Sequence, residues 1–216
     1  MAKQVAHEIK NPLTPMKLSV QQLQRTYKPN DPQWEAQLKR FTISLIEQID
    51  TLSRIAGEFA TFARMPKTQA EKVNLYEMLV NMQQLHANDT GAIITFKPDT
   101  VPPCMIIADK EQILRVFNNL IKNAIQAIPD DIEGVIVLGI QRTQTSFIAT
   151  VSDNGNGIPE ELHDKIFTPN FTTKTSGMGL GLAIVKSIVD SSGGTIRFET
   201  TEGEGSIFYV ELPIAM

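Results

Sequence analysis

The chain has 216 residues, a formal net charge of −4 and a hydrophobic fraction of 42%, which suits one or two globular domains with a core and, lacking a basic excess, argues against nucleic acid as the main partner. Cys104 is the only cysteine and the histidines His7, His86 and His163 are scattered, so there is no disulfide framework and no thiolate or histidine metal centre; a reducing compartment fits. No apolar run approaches the ~18 residues of a membrane span, and no signal peptide is present.

Residues 1–27 read as one helix with Val5, Ile9, Leu13, Leu18 and Leu23 apolar, bent where Pro12 and Pro15 fall inside the pattern. Its centre is the stretch 6–14, A-H-E-I-K-N-P-L-T. At helical spacing His7 and Asn11 share a face, and Glu8 sits about 100° around, within reach of the imidazole edge. A single histidine on a helix is by itself a bland residue. Met1 stands too close before His7 to begin a helix comfortably, so the chain is expected to be the cut end of a longer protein whose sensing region is missing. Residues 28–32 (K-P-N-D-P) form a turn. A second helix runs over 33–64. Leu38, Leu45, Leu52 and Phe59 repeat every seven residues, interleaved with Phe41, Gln48, Ile55 and Phe62. Two helices with a short loop make an antiparallel hairpin. Ile43, Ile46 and Ile49 widen its apolar face beyond a two-helix seam, so two hairpins are expected to pair into a four-helix bundle.

Residues 65–72 lose the period and carry a proline, as a linker would. The spacing then predicts a helix over 75–86, short strands over 93–97 and 105–108, and a helix over 109–128 with Asp109 as its cap. A pair of strands over 135–141 and 147–152 follows, then a short helical piece over 160–166, a helix over 180–191 and closing strands over 195–200 and 206–212. That order implies a mixed sheet with helices on one face, a two-layer α/β sandwich. The fold class is therefore α+β: an N-terminal helical hairpin over 1–66, then a sandwich domain over 73–216.

Three pieces carry chemistry. On the polar side of helix 109–128 stand Gln112, Arg115, Asn119, Lys122, Asn123 and Gln126. A solvated face explains the glutamines, but Asn is a poor helix former, and the pair Asn119/Asn123 suits a hard cation such as Mg²⁺. Next, Asp153-Asn154-Gly155-Asn156-Gly157-Ile158-Pro159 ends a strand. D-x-G-x-G permits close backbone approach and positive φ at both glycines, and a buried Asp behind them could accept a hydrogen bond from an exocyclic amine such as that of adenine. Alone, D-N-G is a common turn. Third, Gly177-Met178-Gly179-Leu180-Gly181-Leu182 opens an apolar helix, whose free N–H groups and dipole make a phosphate cradle. It is neither a Rossmann fingerprint nor a P-loop. The polar loop before it, between Phe167 and Gly177, would make a lid, and Gly203 and Gly205 mark a tight turn.

All of these in this order resemble the transmitter region of sensor histidine kinases: a phosphoacceptor and dimerisation hairpin, then an ATP-binding domain of the gyrase, Hsp90 and MutL kind. The resemblance covers essentially the whole chain and rests on five boxes. These are the H box (His7-Glu8-Ile9-Lys10-Asn11-Pro12), the N box (Asn119 to Ala124), the G1 box (Asp153 to Gly157), the F box (Phe167-Thr168-Pro169-Asn170-Phe171) and the G2 box (Gly177 to Gly181). H-E-I-K-N-P-L-T-P with I-F-x-P-x-F-T-T-K looks most like nitrogen-regulation-type sensors. Asn170 departs from the phenylalanine often found there.

The resemblance implies that His7 attacks the γ-phosphorus of Mg-ATP, that Glu8 accepts its proton, and that Asn11 orients water in a phosphatase step. It implies a nucleotide site made of Asn119, Lys122, Asn123, Asp153, Gly155, Gly157, Ile158, Phe167, Thr173, Lys174, Gly177, Met178, Gly179, Leu180, Gly181 and Ser206, with Mg²⁺ on Asn123. The implied partners are a second copy of the chain and the receiver domain of a response regulator, with no nucleic acid. The implied place is the cytoplasmic portion of an inner-membrane sensor. A nucleotide-holding module that does not phosphorylate would lack His7, Asn123 or the glycines. An ATP-hydrolysing clamp would lack the His7 stretch.

Overall fold

The structure is a computed structural model that describes residues 2–26, 34–63, 69–87, 92–169, 171 and 179–215, with the side chains of residues 2–8 and of much of 54–63 left outside that description. The expected 28–32 turn and the first half of the 65–72 linker fall outside it as well. The chain divides into two compact units, parted near residue 65.

The first unit packs α1 (Ala2–Thr26) against α2 (Trp34–Ala63). Both Pro12 and Pro15 lie inside α1. Each removes one amide donor, those for the carbonyls of residues 8 and 11, yet the helix continues through them. Thr14 Oγ1 donates to the Lys10 carbonyl at 2.9 Å in the same turn. Four positions of the predicted α2 seam, Phe41, Leu45, Gln48 and Leu52, are half-buried; Leu38 is exposed, and the side chains of Ile55, Phe59 and Phe62 lie outside the described set. Ile43, Ile46 and Ile49 are 50%, 55% and 47% exposed, so the two-helix unit leaves its widened apolar face uncovered.

The second unit begins earlier than its sequence suggests. Glu71 and Lys72, read as linker, already belong to β1 (Glu71–Asn74), which pairs antiparallel with β3 (Met105–Ala108) in a two-stranded sheet. A four-residue strand held to a distant partner leaves no local periodic signal. Between these strands lie α3 (Leu75–His86) and β2 (Ile93–Pro98). After β3 come α4 (Lys110–Ala127), β4 (Val135–Arg142), β5 (Ser146–Asp153), a 3-10 turn over Glu160–Leu162, α5 (Gly181–Ser191), β6 (Thr195–Thr201) and β7 (Gly205–Pro213). The main sheet runs β2-β4-β5-β7-β6. Its pairs are antiparallel except β2–β4, which is parallel and therefore spanned by a long connection containing β3 and α4.

Alternation along the central strands sets the layers. Ile136, Leu138 and Ile140, then Phe147, Ala149 and Val151, then Phe208, Val210 and Leu212 are buried on one face. The residues between them, among them Val137, Ser152 and Tyr209, are half-buried on the other. The buried face meets Ile113, Val116, Phe117, Leu120, Ile121 and Ala124 of α4, Leu75, Leu79 and Met82 of α3, and Val185, Ile188 and Val189 of α5. This is the two-layer sandwich that the sequence implies. Cys104 is fully buried, and burial pushes its thiol pKa up against the opposing charge of Arg142. It sits in the core as a small apolar residue.

Asp109 fastens the start of α4. One carboxylate oxygen accepts from Gln112 N at 3.1 Å, the predicted cap, and the other accepts from Gln69 N at 3.0 Å. We expect Asp109→Ala to destabilise the second unit by roughly 1–3 kcal/mol, since it loses the cap and strands a second amide. Asp109→Asn, which can still cap, should cost less. Native-state hydrogen exchange of the α4 amides measures both.

Candidate functional site

Strand register places three polar groups in one row. Asp153 pairs with Ile136 on one side and Ser206 on the other, and Ser206 pairs in turn with Thr200. Cross-strand partners share a face, so Asp153, Ser206 and Thr200 form a polar rung across β5, β7 and β6 at the edge of an otherwise apolar core. Asp153 and Ser206 are only 8% and 4% exposed. Buried polar groups require partners, and these have them. Asp153 Oδ1 accepts from Gly155 N at 2.9 Å, and the hydroxyls of Thr200 and Ser206 lie 2.9 Å apart. Thr200 Oγ1 also donates to the Gly205 carbonyl at 2.9 Å and accepts from Ile158 N at 3.0 Å. Asn154, inside the G1 box, is instead spent on the fold: its amide oxygen accepts from Val135 N at 2.8 Å.

Helix α4 carries the second set. Its half-buried face bears Arg115, Asn119 and Asn123, with Lys122 exposed. Burial lowers the Arg115 pKa from its ordinary value. Asn119 Nδ2 donates to the Arg115 carbonyl at 2.9 Å, and a β-carbon at Gly181 would lie 3.5 Å from Asn119 Oδ1. The N box thus faces the first residue of α5. No side chain caps that helix at Leu180, so its leading N–H groups have the polarity an anion needs.

The glycines explain how the loops reach this place. Positive φ was expected at both Gly155 and Gly157. Only Gly157 has it (φ 67), while Gly155 serves close approach, since a β-carbon there would lie 2.6 Å from the Ala127 carbonyl oxygen. At Gly205 (φ 123) a β-carbon would collide with the Asp153 carbonyl. The turn before β7 is therefore pressed against the backbone of the site aspartate. Gly179 abuts the carbonyl of Phe171 in the same way, and Phe167 packs against Phe198 with centroids 6.0 Å apart.

Of the remaining expected site residues, His7 and Glu8 lie in α1 with side chains outside the described set, and Asn11 is exposed one turn further on. Thr173, Lys174, Gly177 and Met178 lie outside the described residues, as does Asn170. Among the described residues no group of three His, Cys, Asp or Glu side chains is placed to hold a metal.

Residues 108–216 match the family of histidine kinase-, DNA gyrase B- and HSP90-like ATPases, and residues 1–67 match the His Kinase A (phospho-acceptor) domain. The catalytic domain of the histidine kinase ThkA is 34% identical, with a TM-score of 0.59 over 68% of this chain and 96% of that one. The chain belongs to the sensor histidine kinase family. ThkA in complex with the response regulator protein TrrA matches 100% of this chain and 61% of that one, at 27% identity and a TM-score of 0.75. The nitrogen regulation protein NtrY of Azorhizobium caulinodans is 33% identical over 213 residues, 95% of this chain and 27% of that protein. The chain spans less than half the length of the curated relatives it matches.

Within this histidine kinase chain, one member of the rung escaped sequence reading. Thr200 looks like an ordinary strand threonine until register sets it beside Ser206. The signal for Thr200 was available only as a polar residue at an inward position of the alternation. We expect Gly205→Ala to disrupt the Asp153 loop and lose both stability and ATP binding. Gly203→Ala, with φ 82 but nothing within 4 Å of the new methyl, should cost only about 1–2 kcal/mol and leave binding intact. Thermal unfolding with and without nucleotide separates the two.

Proposed function

We propose that this chain is the transmitter of a two-component sensor: it phosphorylates His7 from Mg-ATP and passes the phosphoryl group to an aspartate of a response-regulator receiver domain. What supports this reading is the union, in one chain, of a His7-bearing phospho-acceptor hairpin with an ATPase-type sandwich whose motif loops converge on a buried carboxylate. We place the hairpin domain at 1–66 and the catalytic domain at 73–216, extended at its start by Glu71 and Lys72 of β1. The protein works in the cytoplasm, where ATP and receiver domains are found, as the inner part of a membrane sensor.

Asp153 would receive the adenine amine, supported by Ser206 and by the Gly155, Gly157 and Ile158 backbone. The N–H groups of Gly177 to Gly181, with Met178 and Leu180 between the glycines, would take the phosphates. Lys122, Thr173 and Lys174 would border them and Phe167 would anchor the lid. Asn123, with Asn119 beside it, fits Mg²⁺ because amide oxygens and phosphates together make a hard-oxygen set. The metal would neutralise phosphate charge. Nε2 of His7 then forms the bond to the γ-phosphorus as the bridging oxygen leaves with its electron pair on ADP. Glu8 fixes the imidazole tautomer and takes the proton. Asn11 would orient water for a separate phosphatase step, in which water attacks the regulator's aspartyl phosphate and inorganic phosphate leaves. Such transfer depends on positioning, so the two domains must approach each other.

Three outcomes follow from these roles. Label from γ-labelled Mg-ATP should be acid-labile, alkali-stable and absent in His7→Gln; acid-stable label sinks the kinase reading. Asp153→Ala should lose nucleotide affinity with or without metal, whereas Asn123→Ala should lose mainly the metal-dependent part, as calorimetry can resolve. The exposed Ile43, Ile46 and Ile49 are a patch that a second hairpin would cover. The chain should sediment as a homodimer, and Leu45→Ala or Leu52→Ala should each cost roughly 2–5 kcal/mol if the bundle buries them fully. A monomer with no concentration dependence would refute the bundle.

A further inference from the structure

The geometry points to His163 as a positioning residue for nucleotide binding, one that locks the peptide of Ile158 over the Asp153 rung and ties it to the aromatic base of the lid. This inference rests on the nucleotide reading of that rung. The segment between β5 and Phe167 has to cross the open end of the sheet without a strand or a long helix to hold it. Ile158 lies within it, just before Pro159. Its N–H is held by Thr200 Oγ1 at 3.0 Å. Its carbonyl precedes Pro159 and is met from the side by the imidazole of His163, with Nε2 at 3.0 Å.

The local chain explains how the ring gets there. Pro159 begins a tight turn in which Leu162 N donates to the Pro159 carbonyl at 3.0 Å and His163 N to the Glu160 carbonyl at 3.1 Å. That turn brings position 163 back over 158. The ring then stands edge-on to Phe198, centroids 5.1 Å apart at 89°. Phe198 also receives Phe167 at 6.0 Å and stacks on Phe208 at 5.9 Å. Phe198 is two residues before Thr200 on β6 and points to the same face. The imidazole therefore holds two things at once: the polar rung through Ile158, and the Phe167 platform through Phe198. Because a carbonyl only accepts, Nε2 must carry the proton.

Replacing either half of the ring's function separates them. His163→Gln keeps an N–H donor and loses the ring; His163→Phe keeps the ring and loses the donor. In the full chain, His163→Phe should raise KM for ATP in self-labelling by about five- to tenfold, the worth of one hydrogen bond, with kcat within about twofold. His163→Gln should stay within about threefold of the parent KM. Nitrogen-15 NMR of the unsubstituted chain at neutral pH should find the Nε2–H tautomer, which needs no variant to fold. An Nδ1–H tautomer, an unchanged KM in His163→Phe, or equal losses in both variants would overturn the role of His163. A parent chain that binds no ATP by calorimetry would instead overturn the nucleotide reading, and this inference with it.

Discussion

The end of α4 decides where everything else in the site stands. A helix leaves its last carbonyls without internal partners, and at Ala127 the vacancy is filled by Asn156 N at 2.9 Å. Gly155 fits against the same carbonyl, where any side chain would be too close. The loop that follows Asp153 is thereby held to the helix that carries Asn119 and Asn123. The same helix is fastened at its other end by Asp109, and in its middle it faces the start of α5. Three motifs separated by tens of residues are thus indexed to one rigid rod.

Around that rod the domain is an ordinary apolar sandwich with one deliberate breach. Inward positions on β4, β5 and β7 are Ile, Leu, Val, Phe and Ala until the last rung, where β5 bears Asp153 and β7 bears Ser206, with Thr200 of β6 beside them. Burying such groups is costly unless their hydrogen bonds are made. Here they bond to one another and to loop amides, so the cost is offset within the site itself. Local rules of patterning fail at this rung, as they do where a fold gives up uniform packing for a site, which is the role proposed for it. The loops it organises include the turn at Gly205, which can lie against the Asp153 carbonyl only because it has no side chain.

The hairpin unit is built on a different principle. Its helices share one seam, with Phe41, Leu45 and Leu52 only half-buried and three isoleucines of α2 about half exposed. A two-helix unit has too little interior to be stable by burial alone, whereas the sandwich carries a complete core of its own. A sandwich with its own core and a hairpin with an uncovered apolar face fit the proposed division, in which one unit would hold nucleotide and the other would present His7.

How much of this was legible in the chain depends on the range of the forces involved. Heptad spacing, helix capping by Asp109 and the alternation of β5 and β7 are local, and the sequence alone determined those elements, their order and the boxes that mark the family. The same holds for Asp153, Asn119, Asn123 and the glycines, whose residue types at fixed offsets express backbone constraints of a few residues' reach. Tertiary structure alone decided the pairing of β1 with β3, the parallel β2–β4 contact, the rung that recruits Thr200, and the bond from His163 to the Ile158 carbonyl. It also decided that Gly155 serves packing rather than positive φ. Those features arise from strand register and loop approach between segments distant in the chain, where a hydroxyl or a ring acquires its meaning from what lies opposite, and no neighbouring residue records it.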